Sequence, residues 1–554
     1  MWIASLVLSG FSLGFAALIG GLNVNTIVAY LRDGETDRPA TYPLKIARPL
    51  WWLGANQPGV QLLRIVPGVN WIPESLSAVS ASWGSVIKVS DAALSLSEVA
   101  DRGVLEADGT FNAQTVALLA EHAKEMRTPF QRLRGLVEFA EKARGPFWKM
   151  PEHAKMLQQL RDAHRAGTSG IDALSIAESL LLSEKPRTVF VGITNPAETR
   201  GLHGIIGQFA IVELGLDGIH VREVDSNLAL RDPRTIPNGL SAGYVEFYGD
   251  NNPEWQNMTL SPFVDDAAEQ ISAAWRQARN EDLDAVVLVD TVALARLATV
   301  RGNTYMSAQG RLLSSSQALS DYLSNGLYVE FPIDNLQRKK FQTDLGRLMI
   351  DSLLLNINEV KPLVNPLSKS MLEGRIAFWV GHSLSRTVIP KVVVGLDSEQ
   401  LDENQVILRL NNFSGNKMDF YLQPSLAIEQ CGNETTLTLR LVNIAPRREE
   451  LPDYVLRRLD PIGENPASFV GISLTLGPAW QIAQWSEDNL DIDPTFIQEA
   501  WGQRLRVWAE VPIGEERSAE ITLSGPGTQW VQPDLGLAPL ASPWTVVYQR
   551  CRGG

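Results

Sequence analysis

The chain has 554 residues, 45% of them hydrophobic and 20% charged, enough for two to four domains with cores of their own and too apolar for a disordered chain. With 49 basic against 63 acidic side chains the net charge is −14, so no nucleic-acid partner is expected and any anion site must be a local one. The two cysteines, Cys431 and Cys551, have no metal-ligand spacing.

Residues 1–31 carry no charged side chain before Arg32. Residues 2–21 alone are long enough to cross a lipid bilayer as a helix, and a single-pass membrane anchor is expected over 1–31, with a cleaved signal peptide as the rival reading. Pro39, Pro43, Pro49 and Pro58 rule out one continuous helix after it, so 32–89 reads as a juxtamembrane connector. Between 90 and 184, VALLAEHAKEMRTPFQRLRGLVEFAEKA and KMLQQLRDAHRAG place apolar residues three and four apart between charges. That spacing predicts amphipathic helices, and Pro151, Gly167 and Gly170 break them into a helical bundle or stalk.

From RTVFVGITNP onward the period shortens, and 185–390 reads as an α/β domain. TVFVGIT, GQFAIVELGL and GIHVREV are strands, with Asp217-Gly218 as a hairpin turn between the last two. DDAAEQISAAWRQARN and QRKKFQTDLGRLMIDSLLLNI are helices, and DAVVLVDTVALARLA is a strand running into a helix. Residues 391–554 hold a series of short alternating strands, beginning with KVVVGL, that predicts a C-terminal β-sandwich. Outside the membrane Cys431 and Cys551 would meet oxidising conditions and could pair; two separately buried thiols is the alternative. The fold class expected is α+β and multidomain.

Three stretches could carry chemistry. In NPAETRGLHGIIG (195–207), Gly201, Gly204 and Gly207 allow close backbone approach and Arg200 offers a planar fork to phosphate or carboxylate. A turn with a Glu198–Arg200 pair, and His203 as an ordinary turn residue, is the plainer reading, because the Walker and dinucleotide spacings are absent. In DNLQRKKFQTDLGRLM (334–349), Arg338, Lys339, Lys340 and Arg347 concentrate positive charge on one helix of an acidic protein, either as an anion-binding face or as a solvated surface. Asp290, between strand and helix, is an N-cap or a catalytic or metal-binding residue.

Taken together, PRTVFVGITNPAETRGLHGIIGQFAIVELGLDGIHV, DAVVLVDTVALARLATVRG, FPIDNLQRKKFQTDLGRLMIDSLL, GRIAFWVGH and NNFSGNKMDFYLQPSLAIEQC followed by NIAPRREELPDYV resemble domain-of-unknown-function family 4012. That family occurs in bacterial envelope proteins behind one N-terminal transmembrane helix. Its motif reads approximately N-N-A-E-L-R-x-x-G-G-F-I-G, which Asn195, Glu198, Arg200, Gly204 and Gly207 match and Pro196 and His203 depart from. A more distant similarity is to the LytR-CpsA-Psr phosphotransferases, which act on polyprenyl-pyrophosphate-linked glycopolymers. DAVVLVDTVALARLATVRG and the basic helix look like elements of that family, although its S-D-T and S-I-P-R-D-T segments are missing.

The resemblance implies a LytR-CpsA-Psr-like central sheet domain and a protein of the bacterial cell membrane with its bulk extracytoplasmic. It implies Arg200, Glu198 and Arg338 as catalytic residues and Asn195, Gly204, Gly207 and Lys339 as ligand-binding residues. Mg²⁺ on Glu198, Asp225 or Asp290 is a candidate cofactor. Two functions follow: binding or transfer of a polyprenyl-pyrophosphate-linked glycan or cell-wall polymer, or a non-catalytic role as a cell-surface scaffold.

Overall fold

The computed structural model describes residues 102–135, 151–230, 242–248, 254–354, 361–381, 392–399, 401–460, 466–487, 494–499, 502–525 and 532–550, with scattered positions between 85 and 99 and at 137–138. The expected anchor at 1–31, nearly all of the connector at 32–89, and Cys551 lie outside them. Among the described residues no helix is long and apolar enough to cross a membrane. The chain divides into two compact units, residues 1–182 with 358–368, and residues 183–357 with 369–554.

In the first unit, α1 (Ala113–Gln131) and α2 (Pro151–Ser175) pack together, and α3 (Ala177–Leu181) follows. Asn112 caps α1 through Thr115 N, and Val116, Leu119, Ala123, Met126 and Phe130 form its buried stripe. Phe130 stacks on His164, with ring centroids 5.3 Å apart. It also lies over Gly167, where a Cβ would come within 2.3 Å of the ring. The region is helical as expected, but Gly167 and Gly170 both lie inside α2 and do not break it, Gly167 being a packing position.

The second unit begins with a six-stranded sheet. Its strands are β1 (Arg187–Asn195), β2 (Ile205–Gly215), β3 (Gly218–Ser226), β4 (Ala285–Asp290), β7 (Ile376–Val380) and β8 (Val392–Val394), in the order β3-β2-β1-β4-β7-β8. A two-residue pair, β5 (Tyr305–Met306) with β6 (Leu312–Leu313), stands apart. Only β1 and β4 run parallel; the other pairs are antiparallel. The Asp217-Gly218 turn joins β2 to β3, and Gly218 has φ +110°.

Alternation along the strands gives the sheet two apolar faces. On one, Phe190, Phe209, Trp255 and Trp275 interlock beneath helix α5 (Val264–Arg279), a short helix α4 (Ala242–Tyr248) lying before it in the chain. On the other, Ile193 and Val289 meet α6 (Thr291–Ala298) and α7 (Asn335–Leu354) through Leu294, Leu345 and Met349. Val392–Val394, read with the sandwich strands, is instead the edge strand of this sheet.

The sandwich follows. One sheet, ordered β13-β16-β11-β10-β18, contains β10 (Leu422–Cys431), β11 (Glu434–Asn443), β13 (Gln481–Glu487), β16 (Glu516–Ser524) and β18 (Thr545–Arg550). The other, ordered β14-β15-β12-β9-β17, contains β9 (Gln405–Asn412), β12 (Ala467–Leu476), β14 (Thr495–Glu499), β15 (Gly502–Pro512) and β17 (Asp534–Leu537). Leu426, Ile428, Leu437 and Leu439 of the first sheet pack against Leu408, Leu410, Ile472 and Leu474 of the second. β9 and β12 are buried at every position, which departs from the half-solvated alternation of a free sandwich. The outer face of their sheet meets α4 of the same unit: Arg504 of β15 packs on the rings of Phe247 and Tyr248, 4.3 and 5.2 Å away.

Cys431 is disulfide-bonded, and the sequence holds one other cysteine, Cys551. The parallel register of β10 with β18 runs to Gln430↔Arg550, one position before Cys431 on β10. Of the two expectations for the cysteines, the paired one describes Cys431.

Candidate functional site

The loop from Asn195 to Ile205 leaves the carboxyl end of β1 and is tied to the sandwich by backbone and side-chain bonds. Thr199 N and Oγ1 donate to Asp419 Oδ2 at 3.0 and 2.7 Å, and Gly201 N donates to Asn411 Oδ1 at 2.8 Å. Within the loop the Asn195 carboxamide oxygen accepts from Ala197 N at 2.9 Å, a short Asx turn.

Glycine is required at two of the three loop positions. At Gly204, with φ +135°, a Cβ would stand 2.3 Å from the Asn195 carbonyl oxygen, and at Gly201 it would stand 2.1 Å from the Leu260 carbonyl oxygen. Both are close-packing positions, and Gly204 does not line the cavity described below. Gly207 does, and its carbonyl accepts from Lys339 Nζ at 3.1 Å. His203 takes the left-handed conformation, φ +66°, so it occupies a backbone state that glycine adopts without strain. Burial, with Arg409 and Arg375 nearby, pushes its imidazole down to about 3, and its Nδ1 has no partner. It is a buried neutral turn residue.

Arg200 is saturated. Its Nε donates to Gln256 O at 3.2 Å, Nη1 to Thr199 O and Asn412 O at 2.9 and 3.1 Å, and Nη2 to Glu198 Oε1 and Asn257 Oδ1 at 2.8 and 3.5 Å. A guanidinium has five N–H donors, and these five acceptors use them. The other Glu198 oxygen is bonded by Lys417 Nζ from the loop after β9. Burial would raise the Glu198 carboxyl, but Lys417 and Arg200 outweigh it and hold the group below its ordinary range. Burial would likewise lower Lys417, and Glu198 keeps its ammonium above the ordinary value.

The basic helix turns inward. Arg338 is 1% exposed, which excludes the solvated-surface reading for this residue. Its Nη2 donates to Asn335 Oδ1, its guanidinium packs on the rings of Tyr328 and Tyr454 at 4.6 and 3.9 Å, and its buried Nε has no partner. Half-buried Lys339 donates to two neutral oxygens, Gly207 O and Asn227 Oδ1, at 3.1 and 2.9 Å. Burial, reinforced by Lys417 and Arg338, pushes it down to about 7. Lys340 and Arg347 remain exposed.

Tyr328 is aimed by a π-helical turn, Tyr322–Gly326, that opens just before it. Asn195 Nδ2 closes the arrangement, donating to Leu323 O at 3.5 Å and to the Tyr328 hydroxyl at 3.1 Å.

Together these residues enclose a cavity of about 500 Å³ on the seam between the six-stranded sheet and the sandwich. Asn195, Glu198, Arg200, Gly207 and Lys339 line it from one side, and Phe413, Lys417, Tyr454 and Phe469 from the other. Arg338 adjoins it through three lining residues, Tyr328, Tyr454 and Asn335. Glu198 is the one carboxylate set against Arg200, Lys417, Lys339 and Arg338, because the lining Asp460 is paired with Arg458 at 2.5 Å. The site is therefore cationic inside an acidic protein, and it is rich in amides and aromatic rings.

Magnesium does not fit the carboxylates expected to hold it. Glu198 is engaged by two cations. Asp290 caps α6 through Ala293 N at 2.7 Å and accepts from Arg375 at 2.6 Å, while Asp225 accepts from Ser226 N. Among the described residues, no three of His, Cys, Asp and Glu are grouped as a metal would require.

Lys417, Tyr328, Tyr454, Asn335 and Asn227 were not singled out by the sequence. Lys417, Tyr454 and Asn335 lie in stretches that carry the family resemblance, but nothing local marks them as partners, and Lys417 lies 219 positions from Glu198.

The glycine-turn loop lies within a stretch that matches a known family, whereas Arg338, Lys339 and Lys417 of the cationic seam lie beyond it. Residues 184–328 match the model of a protein family of unknown function, DUF4012. No curated protein and no solved structure matches the chain.

Proposed function

We propose that this chain is a membrane-anchored, extracytoplasmic bacterial envelope protein that binds a polyprenyl-pyrophosphate-linked glycan in the seam cavity. The observation that carries the reading is the buried cation surplus: Arg338 and Lys339 have no carboxylate partner in the wall, and Arg338 keeps an unsatisfied N–H. A pyrophosphate in the cavity would meet the Lys339 ammonium directly and offset the charge of Arg338, which stands behind the Tyr328 and Tyr454 rings. The surrounding amides and the Tyr328, Tyr454, Phe413 and Phe469 rings are the groups that recognise sugar hydroxyls and sugar faces. A disulfide at Cys431 and an uncharged stretch over residues 2–21 support an extracytoplasmic setting beside a membrane.

Binding is favoured over transfer. Glu198 is held ionised between two cations, so it has no proton to donate and no oxygen left uncontacted. Arg200 has no spare donor for a phosphate. These facts also favour the non-catalytic scaffold reading, in which the ligand tethers the protein to its surroundings.

The test is calorimetric titration of the detergent-solubilised full chain with inorganic pyrophosphate and then with the lipid-linked glycan. Arg338→Met and Lys339→Met should each weaken binding by about tenfold or more, whereas Arg347→Met on the exposed face should not. Equal binding of pyrophosphate by native protein and Arg338→Met would sink the proposal. Transfer of glycan to peptidoglycan by the native chain would refute its non-catalytic form.

A further inference from the structure

The Lys339 nitrogen is held by neutral groups. It donates to Gly207 O and Asn227 Oδ1 at 3.1 and 2.9 Å, and Asn227 is fixed with that oxygen toward it because its Nδ2 donates to Ile206 O at 3.1 Å. Both acceptors line the seam cavity, as does Lys339 itself. An ammonium has three N–H donors, and these oxygens would leave one of them unpaired. An uncharged amine has two, which the same oxygens use, and its lone pair takes the third position on the nitrogen. The two acceptors are therefore matched to the nucleophilic form of the side chain.

The charges around Lys339 favour the same form. Arg338 precedes it on α7, and Lys417 lines the cavity from the loop after β9. Glu198, the carboxylate that would oppose them, is bonded to Arg200 and Lys417. Asp460 is paired with Arg458, and Asp225 at the end of β3 accepts from Ser226 N. Burial, then Lys417 and Arg338, push the nitrogen down to about 7 against the weaker pull of Glu198, so a large share of it is uncharged near neutral pH. Lys340, the next residue, is exposed and does not line the cavity.

We infer that Lys339 is a covalent capture site, whose amine condenses in the cavity with an aldehyde or ketone that carries a phosphate or carboxylate. The nitrogen attacks the carbonyl carbon, the carbonyl oxygen leaves as water with the two amine hydrogens, and a carbon–nitrogen double bond remains. No oxidant or reductant is consumed. The surroundings require the anionic group: the imine, once protonated, is a further cation beside Arg338 and Lys417, and the ligand's own charge offsets it. A cavity of about 500 Å³ admits a molecule of this class. The inference goes beyond the pyrophosphate reading, which uses the charged form of the same nitrogen, and stands without it.

The experiment incubates the detergent-solubilised full chain with pyridoxal phosphate, a phosphate-bearing aldehyde, at a pH of about 7.5. Imines are reduced with cyanoborohydride and mapped by mass spectrometry. Lys339 should be modified about tenfold or more ahead of Lys340, and about tenfold faster than by pyridoxal, which lacks the phosphate. Equal labelling of the two lysines would overturn the inference, as would equal rates with the two aldehydes. Glyoxylate, an aldehyde with a carboxylate, is run beside them. Preferential trapping of one anionic aldehyde at Lys339 assigns the phosphate or the carboxylate class, and trapping of neither there would refute the site.

The rate at Lys339 should level off as pH rises past about 7, whereas a rate that climbs in parallel with that of Lys340 would count against an activated amine. Asn227→Asp places a carboxylate against the nitrogen, favours the ammonium, and should slow trapping about tenfold while leaving Lys340 unchanged. Trapping at the native rate in that variant would overturn the argument, and if the variant fails to fold, the native map decides alone. Pyrophosphate titration of the unlabelled native chain is a separate reading. Adduct without pyrophosphate binding refutes only the binding function, and pyrophosphate binding without adduct refutes only the capture site.

Discussion

Glu198, in the loop after β1, and Lys417, in the loop after β9, form a buried ion pair that fastens the six-stranded sheet to the sandwich. Thr199 and Asp419 repeat the connection one and two positions on, at 2.7 and 3.0 Å. Breaking a buried pair by removing one partner costs more than the pair contributes, because the other charge is left without compensation. Lys417→Met and Glu198→Gln should therefore each destabilise the chain by about 3–5 kcal/mol. The double variant should cost less than the two together, with a coupling of about 1–3 kcal/mol. Guanidinium unfolding of the three variants measures this, and strict additivity would argue that the pair does not join the domains.

Acid should weaken the fold through two buried groups of the same loop. Glu198 is held below its ordinary range, so its contribution is present above the unfolded value and is lost as pH falls through the depressed one. His203 titrates at about 3 when folded and near 6.5 when unfolded; the unfolded chain therefore takes up the proton first, and stability falls as pH drops from about 6.5 toward 3. His203→Asn keeps a residue that tolerates positive φ and should flatten the midpoint-against-pH curve over that window. An unchanged curve would mean that the imidazole is protonated in the folded state.

Lys339 gives a dependence of the same sign at higher pH. Its folded value of about 7 lies below the ordinary 10.5, so stability rises with pH between the two, and Lys339→Met should remove that rise. Pyrophosphate needs the ammonium form, so its affinity should decline as pH rises past about 7 in the native chain and stay nearly level in Lys339→Met over the same range. Titrations at pH 6, 7, 8 and 9 (chosen conditions, about one unit apart around the folded value) decide it.

Reduction of the disulfide should act on the sandwich edge. A bridge from Cys431 to the other cysteine closes a loop of about 120 residues, which the chain-entropy relation values at about 4–5 kcal/mol. β18 pairs with β10 alone in its sheet, so Cys431→Ser should expose its amides to hydrogen exchange first. Uniform exchange across both sheets would contradict this.

The sequence made much of this fold legible because periodicity and turn chemistry act locally. The Asp217-Gly218 hairpin, the β4-to-α6 passage and the helices at Val264–Arg279 and Asn335–Leu354 all lie where their patterns place them. KVVVGL was misplaced because a three-residue strand carries too little pattern to reveal which sheet it joins. At the site, NPAETRG was the right stretch with the wrong division of labour. Residue types suggested that Arg200 would face a ligand, but only the fold reveals that oxygens from two other segments, Gln256 with Asn257 and Asn412, consume its donors. The reverse holds for Arg338, whose burial depends on Tyr454, a residue 116 positions later in the chain. Such pairings leave no periodic trace.

The seam position of the cavity means that neither domain owns it: a truncation at either side of β9 would yield half a wall. It also makes occupancy mechanical. A ligand held by Lys339 on one side and Tyr454 on the other would act as a third rivet beside the Glu198 and Thr199 fastenings. The free energy of binding would then be carried directly into resistance to prying the two halves apart.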